Sequence, residues 1–347
     1  MANVPQTSQL IVIAQNYAGG IVRQINRTAV LLKLLAPTFR EAVGANAAWV
    51  AEGDGAVAET FAEGASPANF GSDSQSSATI PLARYWSPFN VTGTAMMVSR
   101  SARTPAGNIE LWARNIVNGC EKLAKLLDTD MYTGAGGNAF VGLDAAIGNL
   151  TNTYATIDRT VGANSYWLPT VTDSANAAVT FKNIRDDLAA IKVASGYKPD
   201  VAMVSPATLN KLAALYDPLK QYVFQTNVAD VVVASGTKIE LDGGVGAIRF
   251  DGCTFIEDVW CPANAIYYVN TRYIHVEYGD AEASIPMGAG DEDIMLGGLT
   301  DGFDTIPMNM VLQLLARTGD AQSAMLKCYP QLVVERPNSM GKRINLG

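Results

Sequence analysis

The stretch that organises this chain is TPAGNIELWARNIVNGCEKLAKLLDTDMYTG, residues 104–134. Thr104 offers a capping hydroxyl and Pro105 suits the first helical position, so a helix is predicted to begin here. Apolar residues then recur at three- and four-residue spacing: Ile109, Trp112, Ile116, Val117, Cys120, Leu123, Ala124, Leu127 and Met131. Gly134 ends the pattern. About 25 residues make a rod of about 38 Å, long for a globular helix, so we expect a spine.

Two segments of opposite charge precede the spine. Residues 1–40 contain no acid and carry a formal side-chain charge of +4, from Arg23, Arg27, Lys33 and Arg40. Residues 41–83 contain no Lys or Arg and carry −6, from Glu41, Glu52, Asp54, Glu59, Glu63 and Asp73. We expect the basic segment of one copy to pair with the acidic segment of an adjacent copy. The alternative is two solvated loops with an accidental charge bias.

The acidic segment predicts a long two-stranded excursion. Residues 47–50 and 78–82 are strand-like, and turn formers and small polar residues fill 64–77 between them. Such a ribbon is marginal alone in water, so it needs a surface to lie on, and a neighbouring subunit would supply one. The aromatic run at 85–89, with Trp86 and Phe89, is interpreted as packing that anchors this loop.

A compact α/β unit follows a stretch, 136–179, that reads as looped. Thr180 is a predicted cap for a helix that ends at Gly196, and residues 201–204 form a short buried strand. Ser205 and Pro206 start a second helix. Asp251 and Gly252 predict a hairpin turn between strands at 247–250 and 253–256.

The last third is rich in predicted strands. Residues 265–269 and 273–278 alternate or run apolar, and residues 308–316 and 324–334 flank a turn at 318–320. The tail is mildly basic.

Composition excludes several classes of function. The net charge of −8 lacks the basic footprint of a dedicated nucleic-acid binder, and no run of about 18 apolar residues predicts a membrane span. The four cysteines are scattered without a Cys-x-x-Cys pair, so reduced thiols are expected. His275 is the single histidine and lies in a strand-like run, which leaves no multi-histidine metal centre. We predict no cofactor, no metal and no catalytic residue.

Two acidic groupings receive structural interpretations. Asp128, Asp130 and Thr133 have a spacing seen in aspartyl phosphatases, but they follow a helix where that chemistry needs a buried strand. We therefore expect a helix end with solvated carboxylates. Asp291, Glu292 and Asp293 would suit a hard cation, and a solvated loop is the favoured alternative.

Three stretches carry a family resemblance. They are YATIDR at 154–159 followed by WLP at 167–169, PDVAMVSP at 199–206, and IEDVWCP at 256–262 followed by IYYVNT at 266–271. Together with the order of arm, hairpin, spine, α/β unit and closing strands, the chain resembles the major capsid proteins of tailed double-stranded DNA bacteriophages. The resemblance covers almost the whole chain.

The resemblance implies an α+β chain with the Hong Kong 97-type capsid fold. Its parts would be an N-terminal arm (1–40), an extended β-hairpin loop (41–98), a peripheral domain with the spine helix at about 104–132 (99–174 and 265–347), and an axial α/β domain (175–264). The implied function is not enzymatic: the subunit would self-assemble into hexamers and pentamers of an icosahedral head. From these segment roles we predict the inter-subunit interface residues Arg23, Arg27, Lys33, Arg40, Glu52, Asp54, Glu59, Glu63, Trp86 and Phe89.

The resemblance also implies partners. They would be other copies of the chain, a portal protein, a scaffolding protein, a cement or decoration protein, and packaged double-stranded DNA on the inner face, with no membrane. No long charged helical prefix precedes the arm, so we expect a separate scaffolding protein. The expected location is the virion, after assembly in the host cytoplasm. Two alternatives stay open: an encapsulin-type compartment shell, and, in another class, a metal-free α/β hydrolase or a carbohydrate-binding module.

Some members of this family link a loop Lys covalently to an Asn of a neighbour. No Lys lies between Lys33 and Lys122, so the loop lacks that nucleophile. We predict that assembled particles give only monomer on denaturing electrophoresis. A covalent ladder would contradict this prediction.

Overall fold

The structure, a computed structural model, describes residues 29–53, 60, 62–64, 74–95, 97, 111–148, 153–216, 230–232, 238–240, 247–280, 294–296, 299–300, 305–306, 310–315 and 319–347. The helices described are α1 (Val30–Leu35), α2 (Leu111–Thr133), α3 (Leu143–Ile147), α4 (Phe181–Ser195) and α5 (Pro206–Tyr216). The first strands are β1 (Arg40–Glu41), β2 (Asn46–Gly53), β3 (Ser74–Pro81), β4 (Tyr85–Thr92), β5 (Thr153–Tyr154), β6 (Ile157–Asp158), β7 (Thr170–Asp173) and β8 (Val201–Val204).

The later strands are β9 (Asp230–Val232), β10 (Lys238–Glu240), β11 (Ala247–Phe250), β12 (Cys253–Glu257), β13 (Ile266–Val269), β14 (Ile274–Tyr278), β15 (Ile294–Leu296), β16 (Leu299–Thr300), β17 (Thr305–Ile306), β18 (Met310–Leu314), β19 (Ala321–Cys328), β20 (Pro330–Val334) and β21 (Gly341–Ile344). Most of them belong to three sheets. Their strand orders are β11-β12-β8-β13-β21-β7, β15-β18-β19-β4 and β1-β14-β20.

The spine helix is confirmed over its described length, α2. Cys120, Leu123, Leu127 and Met131 lie on its buried face, each at most 4% exposed. Gly119 allows the helix to approach the sheet, because a Cβ there would stand 2.6 Å from Leu326 on β19. The predicted start at Thr104 lies outside the described residues.

The six-stranded sheet is buried on both faces. In its central strand β8, Ala202 and Val204 pack in a hydrophobic cluster with α4 and α5. Val201 and Met203 point to the other face and join the larger core, which includes α1 and α2. A strand that is covered on both faces has apolar residues at consecutive positions of its sequence, as residues 201–204 do.

The local signals of the α/β unit are confirmed. The Asn183 N–H donates to the Thr180 hydroxyl at 3.2 Å, and Gly196 closes α4 in the left-handed region with φ of 79°. The Thr208 N–H donates to the Ser205 hydroxyl at 3.3 Å as α5 begins. Asp251 and Gly252 both have positive φ, 48° and 85°, which is the geometry of a two-residue hairpin turn.

Three expectations about the chain path need correction. The stretch 136–179 is not merely looped, since it contains α3, β5, β6 and β7. These elements are too short for periodicity to reveal. The strand predicted from 273 begins at Ile274, because Thr271–Tyr273 forms a 3-10 turn. Residues 324–334 form parts of two strands, β19 and β20, and not one.

The expectation of solvated carboxylates at the end of the spine is wrong. Asp128 is 0% exposed and accepts a hydrogen bond from the Leu32 N–H of α1 at 3.0 Å. Asp130 accepts a hydrogen bond from the Tyr85 hydroxyl at 2.8 Å. Other elements cover this end of the helix, so its acids serve as internal acceptors.

The C-terminal strand is tied into the sheet by a buried ion pair. β21 lies between β13 and β7, antiparallel to the first and parallel to the second. From β21, Arg343 reaches Asp187 of α4 with two bonds, Nε to Oδ2 at 2.6 Å and Nη2 to Oδ1 at 2.7 Å. The Tyr268 hydroxyl donates to Asp187 Oδ2 at 3.0 Å. Both members of the pair are nearly buried, at 5% and 4% exposure.

We predict that Arg343→Met lowers the free energy of unfolding by about 3–5 kcal/mol, because it leaves the Asp187 carboxylate buried without its cation. Urea unfolding of the unassembled chain, followed by circular dichroism, measures the change. Lys182→Ala is the matched control, since it removes an exposed ion pair with Asp186 on the same helix and should cost at most about 1 kcal/mol. Equal losses in the two variants would refute the role given to the buried pair.

Candidate assembly surface

The predicted two-stranded excursion is confirmed as the β2–β3 hairpin. The strands pair antiparallel in full register, from Asn46 opposite Pro81 to Gly53 opposite Ser74. One correction follows: residues 74–77, assigned to the turn-rich tip, belong to β3. The strands alternate as a half-buried ribbon should, and one face is buried through Ala47, Ala51, Ala78 and Ile80.

The buried face of the hairpin lies on the chain itself. Trp49 contacts Tyr154 and Trp167, with ring centroids 6.5 Å and 6.4 Å away. The Thr79 N–H donates to the Ala155 carbonyl at 3.1 Å, and the Thr156 hydroxyl donates to the Ser77 carbonyl at 3.1 Å. We expected a neighbouring subunit to support the hairpin. For this face, residues 153–167 of the same chain do so.

This supporting segment is itself firmly held. The Tyr154 hydroxyl accepts from the Val334 N–H at 2.9 Å, and Arg159 donates to the carbonyls of Ala145 and Ala146. Burial lowers the pKa of Arg159 to about 10, so the guanidinium stays charged at neutral pH. It lies 5.1 Å from the centre of the Tyr154 ring. Sequence reasoning singled out YATIDR only by resemblance and missed this contact with the hairpin.

The opposite face of the hairpin is open in the single chain. Val50 is 64% exposed and lies between the exposed residues Ala48 and Glu52. The Gln75 side chain donates to Glu52 at 2.8 Å across the two strands. Glu63 is also exposed. The predicted interface residues Asp54 and Glu59 lie outside the described residues. On its described residues this face therefore presents the exposed Ala48 and Val50 beside the carboxylate of Glu52.

A second exposed feature lies on β4, the edge strand of the four-stranded sheet. Trp86 is 69% exposed and stands opposite Lys327 of β19. Together with Arg84 and Tyr329 they line a cleft of about 450 Å³. The aromatic run was interpreted as loop-anchoring packing. Of its members, Tyr85 is buried and Phe89 packs partly against the core, but Trp86 points outward, so for Trp86 that interpretation is wrong.

The described basic residues of the arm lie against the body of the chain. β1 pairs parallel with β14, and Arg40 forms an ion pair with Glu335 at 3.2 Å. Lys33 is half-buried on α1. Arg23 and Arg27 lie outside the described residues. The pairing of the arm with a neighbour's acidic segment stays a prediction, since the structure contains one chain.

His275 is confirmed as a strand histidine on β14. It is 2% exposed, with Nε2 at 3.1 Å from Glu277 and Nδ1 at 3.5 Å from Glu335. Within the described ranges, no three His, Cys, Asp or Glu side chains group as a metal site requires. None of the helices described is both long and apolar enough to cross a bilayer.

Comparison with solved structures defines the class of fold. No family model matches the chain, and no curated protein matches its sequence. The capsid asymmetric unit of cyanophage A-1(L) is 19% identical with a TM-score of 0.75, covering 100% of this chain and 99% of that one. The capsid of a native GTA particle is 11% identical with a TM-score of 0.57, covering 95% and 94%. The SrpI encapsulin of Synechococcus elongatus PCC 7942 is 11% identical with a TM-score of 0.55, covering 97% and 95%.

The chain therefore has the fold of capsid and encapsulin shell subunits. Among these three structures, the phage capsid chain has by far the highest TM-score. The predicted fold class, α+β of the tailed-phage capsid type, is confirmed at this level. The division into arm, loop, peripheral and axial domains stays a prediction.

Proposed function

We propose that this chain is the major capsid protein of a tailed double-stranded DNA bacteriophage. One observation carries the proposal: the chain and a phage capsid subunit match from end to end, with a TM-score of 0.75 and 100% and 99% coverage. The structural match thus includes nearly every residue of both chains. Hexamers and pentamers of the chain would close into an icosahedral head, as a repeated self-complementary surface allows.

The hairpin and the β4 cleft are the proposed contacts between copies. The open hairpin face offers Val50 and Glu52, whereas the cleft offers the exposed Trp86 and Arg84, with the largely buried Lys327 among its lining residues. These surfaces are complementary in charge, and the Trp supplies an apolar anchor of the kind that dominates interface energies. The acidic segment of one copy would therefore lie against the cleft and the basic arm of the next. Exposed ion pairs add only about 0–1 kcal/mol each, so they would set register more than affinity.

The remaining partners are proposed from the same assignment. They are a portal protein, a separate scaffolding protein, a cement or decoration protein, and double-stranded DNA on the inner face. The location would be the virion, with assembly in the bacterial cytoplasm. The formal charge of −8 argues that DNA is confined by the shell more than bound tightly to it.

The second candidate is an encapsulin-type compartment shell, which the similarity to the SrpI encapsulin supports. The lower TM-score, 0.55 against 0.75, makes it the weaker candidate. A hydrolase is disfavoured because the single histidine is buried between two glutamates, where it cannot meet a substrate.

We predict that the purified chain, expressed with its neighbouring genes, forms closed icosahedral particles or capsomer-sized rings in negative-stain electron microscopy. Closed particles without a portal and with an enclosed enzyme would favour the encapsulin. A monomer or dimer under every co-expression condition would refute the shell function.

We predict that Arg23→Glu with Arg27→Glu blocks assembly, because it puts acids against the acidic segment of the neighbour. The yield of particles in a sucrose gradient measures the effect. Lys192→Glu, an exposed charge reversal on α4, is the control and should leave the yield unchanged. Normal yield and particle shape in the double variant would contradict the arm–loop pairing.

A further inference from the structure

The cleft beside β4 is lined by polar side chains that can all donate hydrogen bonds. Trp86 of β4 stands opposite Lys327 of β19, so the two side chains lie on the same face of the four-stranded sheet. Arg84, Asn138 and Tyr329 complete the polar lining, and no Asp or Glu of the described residues lines the cleft. Two cations therefore face a cavity of about 450 Å³ without a carboxylate beside them.

Lys327 is the unusual member of this lining. It is 7% exposed, although a lysine is seldom buried without a counter-charge. In the part of the chain that the structure describes, its ammonium has no hydrogen-bond or ion-pair partner, and neither has the Arg84 guanidinium. A buried cation without an anion is destabilising, and a carboxylate brought from outside the chain would remove that cost.

The matching pair of side chains lies on the exposed face of the β2–β3 hairpin. Val50 and Glu52 are two positions apart on β2, so their side chains share one face about 7 Å apart. Both are exposed, and among the described residues the Glu52 carboxylate accepts a hydrogen bond only from Gln75. The cleft offers the complementary pair, since the Trp86 ring gives an apolar surface next to the Lys327 cation.

The Glu52 of a chain does not meet the cleft of the same chain. β2 and β3 pair from Asn46 opposite Pro81, and Glu52 lies six residues along β2 from that base, about 20 Å away. Arg84 follows Pro81 by only three residues, so the cleft lies near the base of the hairpin. A second copy would therefore have to bring Glu52 to the cleft. Such a contact is head-to-tail, because the two copies use different surfaces, and its repetition can close a ring.

We infer that the cleft is a carboxylate-binding site whose ligand is Glu52 of a second copy. The Glu52 carboxylate accepts from the Lys327 ammonium and the Arg84 guanidinium, while Val50 packs on the Trp86 ring. A nucleic acid is a poorer occupant, because it requires a longer basic surface than one cleft with two cations. The inference rests on the proposed function, since the second copy is a neighbour in the shell.

Carbodiimide cross-linking of assembled wild-type particles tests this contact directly. The reagent joins a carboxylate to an amine where the two are in contact, so mass spectrometry of the digest should show a peptide pair linked between Glu52 and Lys327. Particles assembled from isotope-labelled and unlabelled chains should give mixed pairs, because the link joins two copies. Particles that give other cross-links but not this one would overturn the inference.

A charge swap tests the pair through assembly. Glu52→Lys and Lys327→Glu should each lower the yield of particles in a sucrose gradient at least about tenfold, because each brings like charges together at the cleft. Glu52→Lys combined with Lys327→Glu restores opposite charges and should recover most of the yield. The control is Glu52→Lys combined with Lys192→Glu, which has the same net charge but leaves like charges at the cleft and should stay blocked. Equal yields from the two double variants would contradict the inference.

Lys327→Met separates a binding role from a structural one. Met keeps an unbranched apolar side chain without the charge, so the midpoint of thermal unfolding of the unassembled chain should not fall. The yield of particles should fall at least about tenfold all the same. A lower midpoint would assign Lys327 to the stability of the subunit. A labelled DNA duplex that binds the unassembled wild type but not this variant would assign the cleft to nucleic acid, and either result would overturn the inference.

Failure of the site and failure of the shell function give different results. A wild-type chain that forms no particles under any condition refutes the shell function and this site with it. Wild-type particles that lack the cross-link between Glu52 and Lys327, and a swap that rescues nothing, refute the site alone.

Discussion

The structure depends on one constraint: the six-stranded sheet is covered on both faces, and an interior position in it is filled by the C-terminal strand β21. β21 enters between β13 and β7, and Arg343 bonds Asp187 on the helix that covers the sheet. The core of the α/β unit is therefore incomplete without the last residues of the chain. This closure also joins the C-terminal segment and the α/β unit in one sheet, because β21 pairs with β13 and β7.

The hairpin is likewise supported by distant residues of its own chain. A two-stranded ribbon needs support, and its Ala face obtains that support from Tyr154 and Trp167 of its own chain. In the proposed shell, a neighbouring copy would then be needed only for the other face, around Val50. A hairpin that is already positioned loses less conformational freedom when it binds, which favours association without enlarging the contact area. Ala155 and Thr156, with φ of 52° and 68°, form the tight turn on which it rests.

Sequence reasoning succeeded where the signal is local. The Thr180 cap, the Asp251–Gly252 turn and the alternation of the hairpin each depend on neighbouring residues, and each is confirmed. It failed where the contacting residue is far away in sequence. No residue near Asp128 indicates that α1 will cover it, and no residue near Arg343 indicates that it will pair with Asp187. The sequence predicted the candidate interface between copies only at the level of segments, and not residue by residue. Trp86 does lie exposed, but Arg40 has a partner in its own chain, and contact between copies is a property of the assembly.

Charged residues have two distinct roles in this chain: some join remote segments inside it, and others lie on its surface. Only 17% of residues are charged, yet several lie inside as ties between remote segments. Asp128 to α1, Tyr132 to Asp258, and Arg343 to Asp187 join residues 96, 126 and 156 positions apart. Buried pairs of this kind are specific in geometry but add little net stability over apolar packing. In the proposed shell, they would keep the internal arrangement of each subunit fixed while weaker surface contacts form between copies.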